Sequence, residues 1–195
     1  MARAGPSPLN PLSARRYCEV IVAALDSLDV SILRELLARP RAGMREFART
    51  LGIARGTVHT RMSRLERLGV INDYAPRVSP AQLGFPILAF IHLHLAQGQL
   101  ARVTRALVLV DEVLEAHTTA GEGDVLCRVA ARDTEHVEEI IQRFLQLPGV
   151  VRCRTEIALS ERVPSRITPL LSLVAQDLAS NETKAAPQAP GAPLP

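Results

Sequence analysis

Apolar residues recur at intervals of three and four over the first third of the chain, and at intervals of two further on. Leu28, Ile32, Leu33 and Leu36 fall at helical spacing, and Pro40 ends that run. Asp26 stands before it as an N-cap, with Asp29 three residues on, where the helix dipole favours negative charge. A second helix is predicted over about Met44 to Thr50, with Phe47, Ala48 and Leu51 on one face and Gly52 as its stop. A third, roughly Arg55 to Leu68, carries the stripe Val58, Met62, Leu65 and Leu68 and ends at Gly69. Short helices joined through a glycine in this way match a helix-turn-helix, whose second helix enters the major groove of DNA.

From Ile87 the period changes. Ile87 to Ala96 alternates Phe90, His92 and His94 with Ile91, Leu93 and Leu95, the pattern of a strand. Gln99 to about Leu109 suits a helix through Leu100, Val103, Leu107 and Val110. Val113 to Thr119 reads as a second strand, Ala120 to Asp124 as a turn, and Val125 to Ala131 as a third strand. Asp133 caps a helix through about Leu145, Pro148-Gly149 breaks it, and Val150 to Leu159 is the last strand. The order β-α-β-β-α-β implies an antiparallel sheet with both helices on one face, so the fold class is α+β. Aliphatic residues fall on both sides of the strands, and the opposite face is expected to be covered by a second chain.

The chain therefore divides into a leader (1–24), expected to be partly disordered, a helix-turn-helix domain (25–71), a hairpin or linker (72–84), a βαββαβ domain (85–163) and a C-terminal extension (164–195). Pro6, Pro8 and Pro11 mark the leader, in which Tyr17 to Leu25 fits a short strand or a helical turn equally. Asn72-Asp73, Pro76 and Pro80 mark the linker. A short helix is expected after Arg166, and a disordered tail from Asn181.

Composition sharpens this division. Hydrophobic residues make up 47% of the chain, but with no Trp and only six Phe plus Tyr the cores must be aliphatic. The net charge of +3 is unevenly spread: Met1 to Leu83 holds thirteen Arg against seven acids, and Gly84 to Val163 eight Arg against eleven. Double-stranded DNA thus suits the first part and not the second. Cys18, Cys127 and Cys153 follow no metal-ligand spacing and read as reduced cysteines. With no apolar run long enough to span a bilayer and no signal sequence, a cytoplasmic, nucleoid-associated protein without a membrane partner is expected.

Together these stretches resemble the Lrp/AsnC, or feast/famine, family of regulators. Leu25-Asp26-x-x-Asp29-x-x-Ile32-Leu33 is similar to its opening helix. Ala48-x-x-x-Gly52 through Val58, then Arg61-x-x-x-Leu65-Glu66-x-x-Gly69-Val70-Ile71, is similar to its DNA-binding motif. Leu83-Gly84-Phe85, Gly121-x-x-Asp124 and Leu147-Pro148-Gly149-Val150 resemble its junction and effector domain. The resemblance implies a helix-turn-helix domain, winged or plain, and a ferredoxin-like effector domain that dimerises through its sheet and assembles into tetramers, octamers or larger forms. It further implies an amino acid bound between effector domains. The family commonly has Ser at the position of Ala54, and an Ala there forgoes a cap of about 1 kcal/mol.

The residues singled out follow from both readings. Arg55, Thr57, His59 and Thr60 are placed at base edges or phosphates, and Arg61, Arg64 and Arg67 mostly at phosphates, which give affinity without sequence information. Thr119, Gly121, Glu122, Gly123 and Asp124 are assigned to the effector pocket, the amides of Gly121 and Gly123 toward a carboxylate and Glu122 or Asp124 toward an ammonium, with Arg152 to Thr155 supplying the other wall across an interface. No catalytic residue, metal or cofactor is expected. His92, His94 and His117 read as interface histidines, although siroheme decarboxylases share this two-domain plan and use histidines around a tetrapyrrole. A third reading is an amino-acid sensor acting mainly through assembly. On this basis Arg64→Ala is expected to weaken binding to all DNA and flatten its salt dependence, as a series of binding isotherms checks.

Overall fold

Asp26 caps the first described helix of the computed structural model, which describes residues 25–185. The leader, with Cys18 and the Tyr17–Ala24 part of its apolar run, and the tail beyond Ala185 lie outside the described residues. The chain forms two units, Met1–Ala75 with Ser165–Pro195, and Pro76–Pro164. Each is built around its own core.

In the first unit, α1 (Ser27–Ala38), α2 (Met44–Leu51) and α3 (Arg55–Arg67) enclose Ile32, Leu33, Phe47, Ala48, Val58, Met62, Leu65 and Ile71. The Asp26 carboxylate accepts the Asp29 amide at 2.9 Å while the Asp29 carboxylate accepts the Asp26 amide at 3.2 Å, a reciprocal cap that fixes where α1 begins. Gly52 ends α2 at φ +65, and this left-handed residue turns the chain into α3 within three residues. Arg39 joins the end of α1 to α2 through Glu35, Glu46 at 3.2 Å and Thr50 at 2.8 Å. After α3 the chain runs without strand pairing through residues 72–80, so of the expected hairpin or linker it is an irregular linker. The Tyr74 hydroxyl pins it by donating to Glu66 at 2.7 Å.

The last helix, α6 (Thr168–Ala185), also belongs to the first unit. It is longer than the expected short helix, and continues through the first residues of the expected tail. Leu171 packs against the helix-turn-helix core, and Arg34 of α1 donates to the Ser172 hydroxyl at 3.4 Å.

The second unit runs β1 (Ile87–Leu95), α4 (Leu100–Leu107), β2 (Val113–Thr118), β3 (Val125–Ala131), α5 (Thr134–Leu145) and β4 (Val150–Ile157). Its antiparallel sheet has the order β2-β3-β1-β4, the ferredoxin-like arrangement. Ala89, Ile91 and Leu93 of β1 and Val125, Cys127 and Val129 of β3 face Val103 and Leu107 of α4 and Val137, Ile140 and Phe144 of α5. Cys127 pairs with Ile91 and Cys153 with Leu93, so β1 separates the two thiols by two strand spacings, about 10 Å, too far for a disulfide. Burial pushes the Cys127 thiol to about 12 and raises that of Cys153, in keeping with inert core residues.

The opposite face of the sheet is less aliphatic than expected. Phe90, Arg128 and Glu115 lie in one row across it, and His92, Leu126, His117 and Arg154 in the next. Arg128 pairs with Glu115 at 2.7 Å, and Arg154 with Glu156 at 2.8 Å. The three histidines share this face, since His94 lies opposite Arg152.

Glu112, just before β2, ties that strand to α5. Its Oε1 accepts Arg143 at 2.7 Å and lies 3.0 Å from His136 Nε2, while His136 Nδ1 accepts the Arg132 amide. Burial opposes ionisation of Glu112, but the bonds from Arg143, its own backbone amide and His136 outweigh it and hold the carboxyl at about 2. Because that value lies below the ordinary 4.5, the stabilisation is complete above pH 4.5 and is lost as pH falls toward 2. Glu112→Gln is expected to cost about 2 kcal/mol at neutral pH and to flatten the acid limb of stability, as urea unfolding at successive pH values checks.

Candidate nucleic-acid interface

Helix α3 has two faces with different tasks. Val58, Met62 and Leu65 are buried, while Arg55, Gly56, Thr57, His59, Thr60 and Arg67 are exposed. Between these faces lie Arg61 and Arg64, both half-buried and both turned toward α1. Arg61 reaches Asp26 and, at 3.1 Å, Asp29; Arg64 reaches the other Asp29 oxygen at 2.7 Å. The Asp29 side chain is fully buried, so its negative charge is held by two guanidinium groups and the Asp26 amide. The bond to Asp26 raises the Arg61 pKa further, against the effect of burial.

This geometry redistributes the basic residues. Arg61 and Arg64 sit where phosphate contacts were expected, but both are engaged in fixing the recognition helix to α1. Glu66, on the same helix, accepts the Tyr74 hydroxyl. Two exposed arginines of α2, Arg45 and Arg49, were not singled out from sequence. Their signal was present, since a spacing of four places them together on the helix surface, on the side away from the buried Phe47. At the start of α3, Ala54 occupies the cap position in an extended conformation and supplies no side-chain bond.

In the second unit the loop 119–124 is held by its own chain. The Thr119 hydroxyl donates to the Gly123 carbonyl, and the Thr119 amide to Asp124 at 3.1 Å. The Asp124 carboxylate accepts the Leu95 amide at 2.7 Å, an anchoring task rather than the expected ammonium contact. Gly123 passes so close to β1 that a side chain there meets His92 Cβ at 3.3 Å. Glu122, beside Gly121 in the same loop, instead turns to Arg154 at 2.8 Å and Arg152 at 3.8 Å. Thr155 does not join this group within the chain, because it pairs with Ile91 and shares the helix-facing side of the sheet.

Comparison with known proteins addresses both units. A winged helix-turn-helix DNA-binding model matches residues 25–72, and an Lrp/AsnC ligand-binding-domain model matches residues 88–168. The regulator Ptr1 of Methanocaldococcus jannaschii is 32% identical over 69% of this chain and 92% of its own length. The chain belongs to the Lrp/AsnC family. It is a DNA-binding transcriptional regulator of that type. The structure of Escherichia coli AsnC superimposes with a TM-score of 0.69 at 27% identity, covering 74% of this regulator and 99% of AsnC. A Neisseria meningitidis regulator solved as an L-Met complex gives 0.68 at 26% identity, over 76% and 99%.

The pairing at Asp29 makes a direct prediction for the regulator. Asp29→Asn is expected to destabilise the first unit by about 3 kcal/mol, since two half-buried arginines lose their counter-charge. DNA affinity should fall while its salt slope stays unchanged. Calorimetric unfolding and binding isotherms at several salt concentrations check this; a slope flattened by Arg64→Ala would return that arginine to the phosphate contacts.

Proposed function

We propose that the regulator works as an assembly of at least two copies, each laying the outer face of α3 in the major groove of double-stranded DNA. The carrying observation is the division of labour on that helix. Arg61 and Arg64 anchor it through Asp29, which leaves Arg55, Thr57, His59 and Thr60 exposed near its N-terminus, the part that reaches base edges in this motif. Arg67, with Arg45 and Arg49 of the preceding helix, supplies phosphate contacts. The uncapped first turn after Ala54 suits a phosphate as well.

The copies pair through the open face of the sheet. Arg128 Nε and His94 Nε2 support this, being buried side-chain atoms on that face without a hydrogen-bond partner in the single chain. His92, His94 and His117 are then residues of an interface, and no tetrapyrrole or other cofactor is assigned to them. The names of the relatives as transcriptional regulators support a role without catalysis. Among the described residues no helix is long and apolar enough to cross a membrane, which fits a cytoplasmic location.

The effector is an amino acid or a related metabolite, held at the loop that carries Gly121 and Glu122. Glu122 beside Arg152 and Arg154 offers both signs of charge, as an ammonium and a carboxylate require. The neighbour solved with L-Met supports this class of ligand. Effector binding acts by favouring one assembly over another, and only to the extent that affinity differs between the two.

In vitro selection of DNA sites, with and without pooled amino acids, tests the whole reading. Arg55→Ala and His59→Ala are expected to relax specificity at particular base pairs by about 1–3 kcal/mol each. Arg67→Ala and Arg49→Ala should weaken binding to all sequences alike and each reduce the salt slope by about one. Selection that enriches no sequence removes the base-reading role.

A further inference from the structure

Helix α6 lies beyond the stretch of the chain that the family models match. The ligand-binding-domain model ends at residue 168, where α6 begins, and the AsnC structure is covered almost to its full length by 74% of this chain. This helix returns to the DNA-binding unit. It seats Leu171 against the core of that unit and brings the Ser172 hydroxyl to Arg34 of α1. Val30, one turn before Arg34, is 2% exposed although it lies outside the stripe that packs on α2 and α3. Ser172, Val174, Ala175 and Leu178 of α6 are half-buried, whereas Leu170 and Leu173 on its other side are exposed.

The consequence is topological. The chain leaves the first unit at Ala75 and re-enters it at Ser165, so the DNA-binding unit is joined to the second unit by two covalent connections. The second connection is the ten residues between Ile157 of β4 and Thr168 of α6. Fully extended, ten residues reach about 35 Å. A unit on one flexible linker explores every position within the reach of that linker; one on two linkers keeps only the positions that both allow. The second restraint acts on α1, and α1 holds α3 through Asp29, so it is transmitted to the recognition helix by packed, charge-paired contacts.

We propose that α6 is a strap that limits the freedom of the DNA-binding unit and thereby determines which half-site spacings the assembled regulator accepts. This rests on the reading above, in which an assembly places two recognition helices on one duplex. Leu171 is the seat of the strap, and the segment from Ala158 to Ile167 sets its length.

The test lengthens the strap without removing its seat. A flexible insertion of about twelve Gly and Ser residues between the exposed Glu161 and Arg162 leaves α6 attached and docked. A second variant, Leu171→Asp, unseats the helix and leaves the chain length unchanged. Affinity is measured on duplexes carrying one selected half-site, or two at successively longer spacings, and thermal unfolding of the first unit is followed in parallel. The insertion is expected to leave single-site affinity and unfolding unchanged, while disfavoured spacings gain about tenfold relative to the preferred one. Leu171→Asp should lower the unfolding temperature of the first unit and broaden the spacing profile in the same way. An insertion variant with the wild-type spacing profile overturns the proposal, as does a Leu171→Asp variant with unchanged unfolding. Failure of the intact protein to bind any duplex overturns the regulator reading, and the strap with it; duplex binding with a strap-independent profile overturns the strap alone.

Discussion

The DNA-binding unit depends on one buried carboxylate. Asp29 closes the N-terminal cap of α1 with Asp26, and the same side chain holds Arg61 and Arg64 of α3. A charge so fully removed from water costs several kcal/mol unless it is paired and hydrogen-bonded, so the three groups that satisfy it, on α1 and α3, cannot drift independently. The position of the recognition helix thus follows from the satisfaction of Asp29, and apolar packing of Val58, Met62 and Leu65 fills the space that remains. An apolar contact tolerates small slides and rotations; a pair of guanidinium groups on two carboxylate oxygens tolerates far less.

The second unit obeys a different constraint, the alternation of strands. Each strand gives one set of residues to the helices and the other to the open face, so each position on β1 and β4 has its face decided by parity. Ile91, Thr155 and Cys153 go inward, and His92, Arg154 and Arg152 outward. This places Arg152 and Arg154 beside Glu122 and leaves Asp124 to anchor the loop on Leu95. One unit thereby carries the arginine-rich helices of a DNA-binding domain, and on the function proposed above the other meets a small charged molecule and a partner copy. The arginines divide accordingly between the two.

Much of this was legible in the chain. The cap at Asp26, the stop at Gly52, the order of the strands and the inward side of β1 are local matters, set by spacing and by what a residue can do within a few positions of itself. The exposed set on α3 was legible too, because helical period alone separates Arg55, His59 and Thr60 from Val58 and Met62. Less so was the fate of Arg61 and Arg64. Their partners lie 32 and 35 positions earlier in the chain, and an arginine at the border of a helical stripe carries no mark of whether it meets solvent, phosphate or a buried acid.

The sequence by itself determined the elements, the two cores and the overall division into a basic DNA-binding part and an acidic sheet domain, because periodicity, capping and charge are properties of neighbours along the chain. Only the tertiary structure decided which arginines hold the recognition helix, that Thr155 lies on the helix-facing side of the sheet, and that α6 folds back onto α1. Each of those outcomes is a choice among partners distant in sequence. It is made by the desolvation of Asp29, the parity of β4 and the apolar seat of Leu171, and these act only once the chain has come together.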